Sequence, residues 1–239
     1  MRNRMRLDKF VSEATGMTRK EARERIRTGC VSVNGRKTVQ PDCRVNETSD
    51  RIESGGQVLH SRKYVYLMLN KPGGYLSAVR DPHDPVVTDL VPAEYRHFSL
   101  FPVGRLDKDA EGLLLLTNDG RFDHALMSPK RHVPKRYFAV LDRPAEASDA
   151  EAFRAGMTFP DFTARPAVLE ISADDPKKVR IGITEGKFHQ VKRMCERVGK
   201  HVEYLKRIAI GPLPLDETLK PGEIRELTDE ELRMLFPEA

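Results

Sequence analysis

The sequence predicts an α+β protein in two parts, a small basic N-terminal module and a larger body built on a mostly antiparallel mixed sheet. Three observations lead there. Leu7, Phe10, Val11 and Ala14 recur at helical spacing, and a short basic helix and a hairpin signal follow them. Beyond residue 63 come β-rich runs at Tyr64–Asn70, Gly112–Thr117, Lys135–Leu141, Ala164–Ile171 and Lys178–Thr184, separated by turns and helical stretches. The charge is also uneven: of a net +5 over 239 residues, positions 1–62 hold 14 Lys/Arg against 8 Asp/Glu, leaving 27 against 28 for the rest. A basic arm on a nearly neutral body suits a polyanionic partner. The expected domains are 1–60 and 64–239, with His60-Ser-Arg-Lys63 as linker.

Several classes are disfavoured at once. Cys30, Cys43 and Cys195 match no zinc spacing, and three is the wrong parity for a disulfide framework, so free thiols in a reducing compartment are expected. No apolar run approaches membrane-spanning length. The basic opening Met1–Arg6 runs into Leu7-Asp8-Lys9 where a signal peptide needs an apolar stretch. The expectation is a soluble, cytoplasmic, monomeric protein without a membrane partner.

In chain order, the first helix ends at Gly16. Thr18-Arg-Lys-Glu21 is a capping box: the Thr hydroxyl reaches the amide of residue 21 and Glu21 reaches back. The helix it opens runs to about Thr28, stopped by Gly29, with Ala22 and Ile26 inward. Arg19, Arg23 and Arg27 recur every fourth residue as a cationic stripe beside Lys20. Val31-Ser-Val33, Asn34-Gly35 and Arg36–Val39 read as a hairpin on an Asn-Gly turn, and Ser54-Gly55-Gly56 as another turn. This order, over nearly all of residues 4–60, resembles the S4 RNA-binding module. The resemblance implies an RNA partner and no chemistry.

In the body, the strand at Tyr64–Asn70 breaks at Lys71-Pro-Gly-Gly74, and Asp81-Pro-His-Asp-Pro85 is a loop. Phe101-Pro-Val-Gly104 leads to Arg105-Leu-Asp107, a cation and a carboxylate flanking an apolar anchor. Gly112-Leu-Leu-Leu-Leu-Thr117 then reads as a strand buried on both faces, closed by Asn118-Asp119-Gly120. Asp107 therefore sits on a loop entering the middle of a sheet, a common way to present a catalytic group. A short helix follows over Phe122, Ala125 and Leu126, ending before Ser128-Pro129. On the Lys135 strand, Tyr137 shares a face with Ala139 and Leu141. Val191, Met194, Cys195 and Val198 mark the inner face of a helix stopped by Gly199, and Thr228-Asp-Glu-Glu231 caps a closing helix.

Gly104-Arg-Leu-Asp107 with the run Gly112–Gly120 resembles the signature of the RNA pseudouridine synthases, in the branch containing the ribosomal small-subunit enzyme. Asn70-Lys-Pro-Gly-Gly-Tyr75, Lys135-Arg-Tyr137, Gly186-Lys-Phe-His-Gln-Val-Lys-Arg-Met194 and His201–Ile208 are similar to the same family's further motifs, in its order. The resemblance implies a body with a central catalytic cleft and no cofactor or metal. It gives Asp107 as catalytic nucleophile, Tyr137 and Leu205 as the base-stacking pocket, and Lys192 as the cation orienting the aspartate. Arg105 is implied to fill the gap left in the RNA; Arg193 joins the N-terminal cations as an RNA contact, and His189 and Gln190 read as helix-entry and RNA-contact residues. The implied partner is ribosomal RNA, most like 16S, with the large-subunit branch next.

Two other classes compete. A non-catalytic ribosome-associated protein would need only the basic module. A metal-dependent nuclease could use Asp107 and Asp109, but no further His or carboxylate stands at ligand spacing.

Overall fold

The computed structural model describes residues 4–47, 49–59, 63–128 and 131–236. The expected linker falls largely on residues 60–62, outside the described residues. The chain forms two compact units, Met1–Val65 with Pro92–Ser99, and Tyr66–Val91 with Leu100–Ala239.

The first unit contains β1 (Arg4–Arg6), α1 (Leu7–Thr15), α2 (Arg19–Arg27), β2 (Val31–Val33), β3 (Arg36–Lys37), β4 (Arg44–Asn46), β5 (Ile52–Ser54) and β6 (Gln57–Leu59). Its core joins Leu7, Phe10 and Val11 of α1 to Ala22 and Ile26 of α2 and to Val31, Val45 and Ile52 from the strands. The Thr18–Glu21 capping box forms reciprocally. β3-β2-β5-β6 make an antiparallel sheet, and β1 pairs with β4. Both two-residue hairpin turns, Asn34-Gly35 and Gly55-Gly56, have positive φ at both positions, the form that matches strand twist.

The second unit runs β7 (Tyr66–Lys71), β8 (Phe101–Val103), β9 (Glu111–Thr117), α3 (Gly120–Met127), β10 (Lys135–Leu141), α4 (Ala147–Ala155), β11 (Met157–Thr158), β12 (Thr163–Ala164), β13 (Val168–Ile171), β14 (Lys178–Ile183), α5 (Gln190–Arg197), β15 (Val202–Ile210), β16 (Leu213–Pro214), β17 (Ile224–Glu226) and α6 (Asp229–Leu235). The sheet order is β13-β14-β10-β15-β9-β7-β17, with β16 on β15 and β8 on β9. Among the described pairings of this sheet, only β15–β9 is parallel. β9 is an interior strand, paired with β7, β8 and β15: Leu113 to Leu116 are all buried, as a doubly covered strand requires. One face packs Met68, Leu113 and Leu115 beneath Phe122 and Leu126 of α3 and Leu235 of α6. α4 packs against β13 and α5 against β15.

The parallel junction depends on Gly112. Its φ is +96°, and a Cβ there would collide with the Arg207 carbonyl oxygen, so a side-chain-free residue lets β15 approach where the Asp107 loop enters β9.

The expected strand Ala164–Ile171 is a misreading. It is two strands, β12 and β13, interrupted around Pro166, which brings no N–H to a ladder; the Ala167 amide instead donates to Phe153 O at 2.9 Å. Among the described residues, no helix is long and apolar enough to cross a membrane.

Candidate active site

The loop from Gly104 to Ala110 owes its shape to one buried apolar residue and two buried polar ones. Leu106 is buried and anchors it. Ser77 grips the same residue twice: the Leu106 amide donates to Ser77 Oγ, and the Ser77 hydroxyl donates to Leu106 O, each at 2.9 Å. Lys71, fully buried at the end of β7, donates from Nζ to the carbonyls of Pro72 (3.0 Å), Lys108 (3.1 Å) and Ala110 (2.7 Å). The Gly74 amide donates to Lys108 O at 2.8 Å. The backbone carrying Asp107 is thus satisfied from three sides, as a preorganised catalytic loop must be.

The Asp107 carboxylate faces two potential cations. Lys192 Nζ lies 3.5 Å from Oδ2, and His189 Nε2 lies 3.6 Å from Oδ1. Lys192 stands in the first turn of α5, and His189 is its N-cap with a left-handed backbone (φ +50°). Lys192 is shared: it donates to both oxygens of Asp109, at 2.6 and 2.7 Å. Loss of some hydration works against ionisation of Asp109, but the Lys192 hydrogen bonds and charge outweigh that and hold it below the ordinary carboxylate range. The expected Lys192–Asp107 contact is therefore present as the longer of two.

Tyr137 on β10 and Leu205 on β15 lie on neighbouring strands, Leu205 opposite Ala139 in the register. Both line a cavity of about 720 Å³ with Arg105, Asp107, Phe188, His189 and Gln190. Three cations of this unit that do not line the cavity are out of solvent. Lys71, Lys135 and Arg207 are all buried. Burial lowers the Lys71 ammonium to about 8, against the pull of Asp109, Glu111 and Asp107. Burial, then the nearby Arg207 charge, lowers Lys135 to about 8. Arg207 donates from Nε to Leu113 O at 2.8 Å. A larger groove, about 840 Å³, is bordered by the alternate residues of β10, Arg136 and Phe138, and does not include Asp107.

The model of the family described as RNA pseudouridylate synthase matches residues 65–197, and the S4 domain model matches residues 5–52. This chain belongs to the RNA pseudouridylate synthase family. It is 42% identical over 234 residues to an uncharacterized RNA pseudouridine synthase of Bacillus subtilis (strain 168), covering 97% of this chain and 98% of the relative. It is 39% identical over 231 residues to ribosomal small subunit pseudouridine synthase A of Escherichia coli (strain K12), covering 95% and 98%. A crystal structure of a pseudouridylate synthase superposes with a TM-score of 0.68 at 36% identity, covering 97% of this chain and 99% of that one.

In this synthase the remaining predicted site residues fall into distinct settings. The N-terminal stripe is organised around an acid that sequence reading passed over. Asp8 is fully buried and accepts from Arg6 (3.1 and 3.2 Å), Arg19 (2.8 Å) and Arg23 (2.9 Å). Burial opposes its charge, but hydrogen bonds from Arg6, Arg23 and Arg19 prevail and hold the carboxyl well below its usual range. Lys20 and Arg27 are exposed. Arg193 is bound by both oxygens of Asp161 (2.9 and 2.5 Å) and lies over the rings of Phe159 and Phe162, at 4.8 and 4.7 Å. Gln190 is buried: its amide group donates to Glu185 at 2.9 Å and accepts from the Lys187 N–H at 3.0 Å. It shapes the turn before α5, the helix-entry place expected of it.

Sequence reading missed Lys71, Ser77 and Phe188 as site residues. Lys71 carried a signal, a charged residue ending an apolar strand before Pro-Gly. Ser77 carried none, because its partner lies 29 residues away. Among the described residues, His, Cys, Asp and Glu form no group of three or more able to hold a metal ion.

Proposed function

We propose that this synthase converts one uridine of ribosomal RNA to pseudouridine, on the small subunit, with Asp107 as the nucleophile. The observation that carries the reading is a cavity lined by a carboxylate on a preorganised loop and by an aromatic ring with an aliphatic neighbour, with an ammonium 3.5 Å from that carboxylate.

The reaction breaks the N1–C1′ glycosidic bond, turns the uracil, and joins C5 to C1′, while the C5 hydrogen leaves as a proton and N1 takes one up. Nothing is oxidised. Asp107 supplies the carboxylate that takes up the electron-poor intermediate, and Lys192 orients it. The target base must leave its stack at a cost of a few kcal/mol. Stacking on Tyr137, worth roughly 1–3 kcal/mol, offsets part of this while Leu205 closes the pocket. Arg105, exposed next to Asp107 on the same loop, fills the space the base vacates. Arg19 and Arg23, held by Asp8, and the exposed Lys20 and Arg27 meet phosphates of the same RNA. Arg193 serves chiefly by bracing α5. Every group invoked comes from one chain, so a monomer suffices.

The small-subunit assignment is supported by the match to the E. coli enzyme of that name over nearly the whole chain. Mapping pseudouridines in both ribosomal RNAs, from cells with and without the gene, tests it. Loss of a single small-subunit site is expected. Loss of a large-subunit site instead would move the substrate, and an unchanged map would remove ribosomal RNA as target.

A further inference from the structure

Phe188 is 72% exposed, an unusual position for a phenyl ring in a protein with few exposed large apolar side chains among its described residues. It is not a loose residue. Its ring stacks on His189, centroids 3.9 Å apart and planes 16° from parallel, and the His189 Nε2 is the atom 3.6 Å from Asp107. The stack is fixed from below. His189 takes a left-handed backbone, uncommon for a residue with a side chain, and such strain concentrates at binding sites. Gln190 locks that turn, accepting from the Lys187 amide with its side chain while its own amide donates to Lys187 O at 3.1 Å. From the nucleophile outward, the order is carboxylate, imidazole, phenyl, with the last face open.

We propose that the outer face of Phe188 is a second base subsite, which stacks a nucleobase neighbouring the target uridine on the same RNA strand. This rests on the synthase reading of Asp107 and adds a ligand contact to it. Flipping one nucleotide exposes the faces of the bases on either side, and a flat apolar ring at the cavity rim can cover one of them. Tyr137 cannot do this work as well, since its ring is buried within the wall. Lys187 precedes the platform on the same cavity and sets a cation beside the path of the strand.

The chain has no tryptophan, so Phe188→Trp introduces a single fluorescent reporter. The substrate is a protein-free transcript of small-subunit ribosomal RNA carrying uridine labelled with tritium at C5. Phe188→Ala is expected to raise KM roughly tenfold, from the loss of one stacked base, with kcat changed less than about threefold. Phe188→Trp should restore KM to within about threefold of the native enzyme, and its emission should be quenched as transcript saturates the protein. An alanine variant with unchanged KM, a tryptophan variant as impaired as alanine, or emission indifferent to RNA would overturn the proposal. A defect seen only on assembled small-subunit particles would also overturn it, making Phe188 a protein contact. If the native enzyme released no tritium, the functional reading would fail, while quenching would still report whether RNA covers the ring.

Discussion

Replacing Asp8 by asparagine removes the negative charge that Arg6, Arg19 and Arg23 of the N-terminal unit share. If those arginines acted as free cations, RNA would bind more tightly. The geometry predicts the opposite. Asp8 holds Arg6, Arg19 and Arg23 at 2.8 to 3.2 Å while their side chains stay 41%, 48% and 44% exposed. Fixing a long side chain costs roughly 0.5–1.5 kcal/mol. In the native protein that cost is met on folding, so three guanidiniums meet phosphate already ordered. Releasing them should cost binding about 2–4 kcal/mol, against a Coulomb gain of at most about 1 kcal/mol at a salt-screened surface. The net expectation is a Kd raised about tenfold or more. Fluorescence anisotropy with a labelled ribosomal RNA fragment, across a salt series, reads it directly. Arg19→Lys with Arg23→Lys keeps the charge but loses the fork and should weaken binding too. Thermal melts check that both variants fold. An Asp8→Asn protein that binds RNA as well as or better than native at every salt concentration would refute the reasoning. The same carboxyl, depressed in the fold, contributes stability that is present above about pH 4 and lost as pH falls through its native value.

Lys192→Met should lower kcat by about a hundredfold or more, since it strips the ammonium from Asp107, whereas Asp109→Asn removes only an exposed partner and should change kcat/KM less than about fivefold; equal losses in the two would contradict the assigned roles. Ser77→Ala leaves the Leu106 amide unpaired in the interior, a cost of about 1–3 kcal/mol, and should slow kcat at least tenfold with KM little changed, in steady-state tritium release. Lys71, at about 8 in the fold against 10.5 unfolded, is charged at a cost that is fully present below pH 8. That cost is relieved as pH rises from about 8 towards 10.5, because there the unfolded chain holds more protons. Stability from urea melts between pH 8 and 10 should therefore rise more steeply, or fall less, in native protein than in Lys71→Met; parallel profiles would contradict the buried-ammonium reading.

Much of this was legible before any coordinates. A short four-leucine run bounded by Gly112 and closed by turn residues reads as a covered strand, which put the Asp107 loop at the entry to the sheet's interior. The capping boxes at Thr18 and Thr228 carry their own geometry and formed as read. What escaped is equally physical. α4 has no apolar stripe because its inner face buries Asp149, paired with Lys200 at 2.7 Å, beside a single phenylalanine, Phe153. β15 carries Glu203, Lys206 and Arg207 within nine residues, and the buried Arg207 breaks the apolar alternation that marks a strand. Asp8 reads as an ordinary first-turn acid until Arg19 and Arg23, 11 and 15 residues later, are seen to close on it. At the site, residue types were readable but their sharing was not: that Lys192 divides itself between Asp107 and Asp109 is a matter of ångströms.

The most direct test of the account is single-turnover tritium release from C5-labelled small-subunit ribosomal RNA by native protein and by Asp107→Asn, with RNA affinity measured in parallel. An amide of the same shape cannot act as the nucleophile. The account predicts no detectable release by the variant and a Kd within a few-fold of native. Isomerisation by Asp107→Asn at anything near the native rate would contradict it, whatever the rest of the cavity contains.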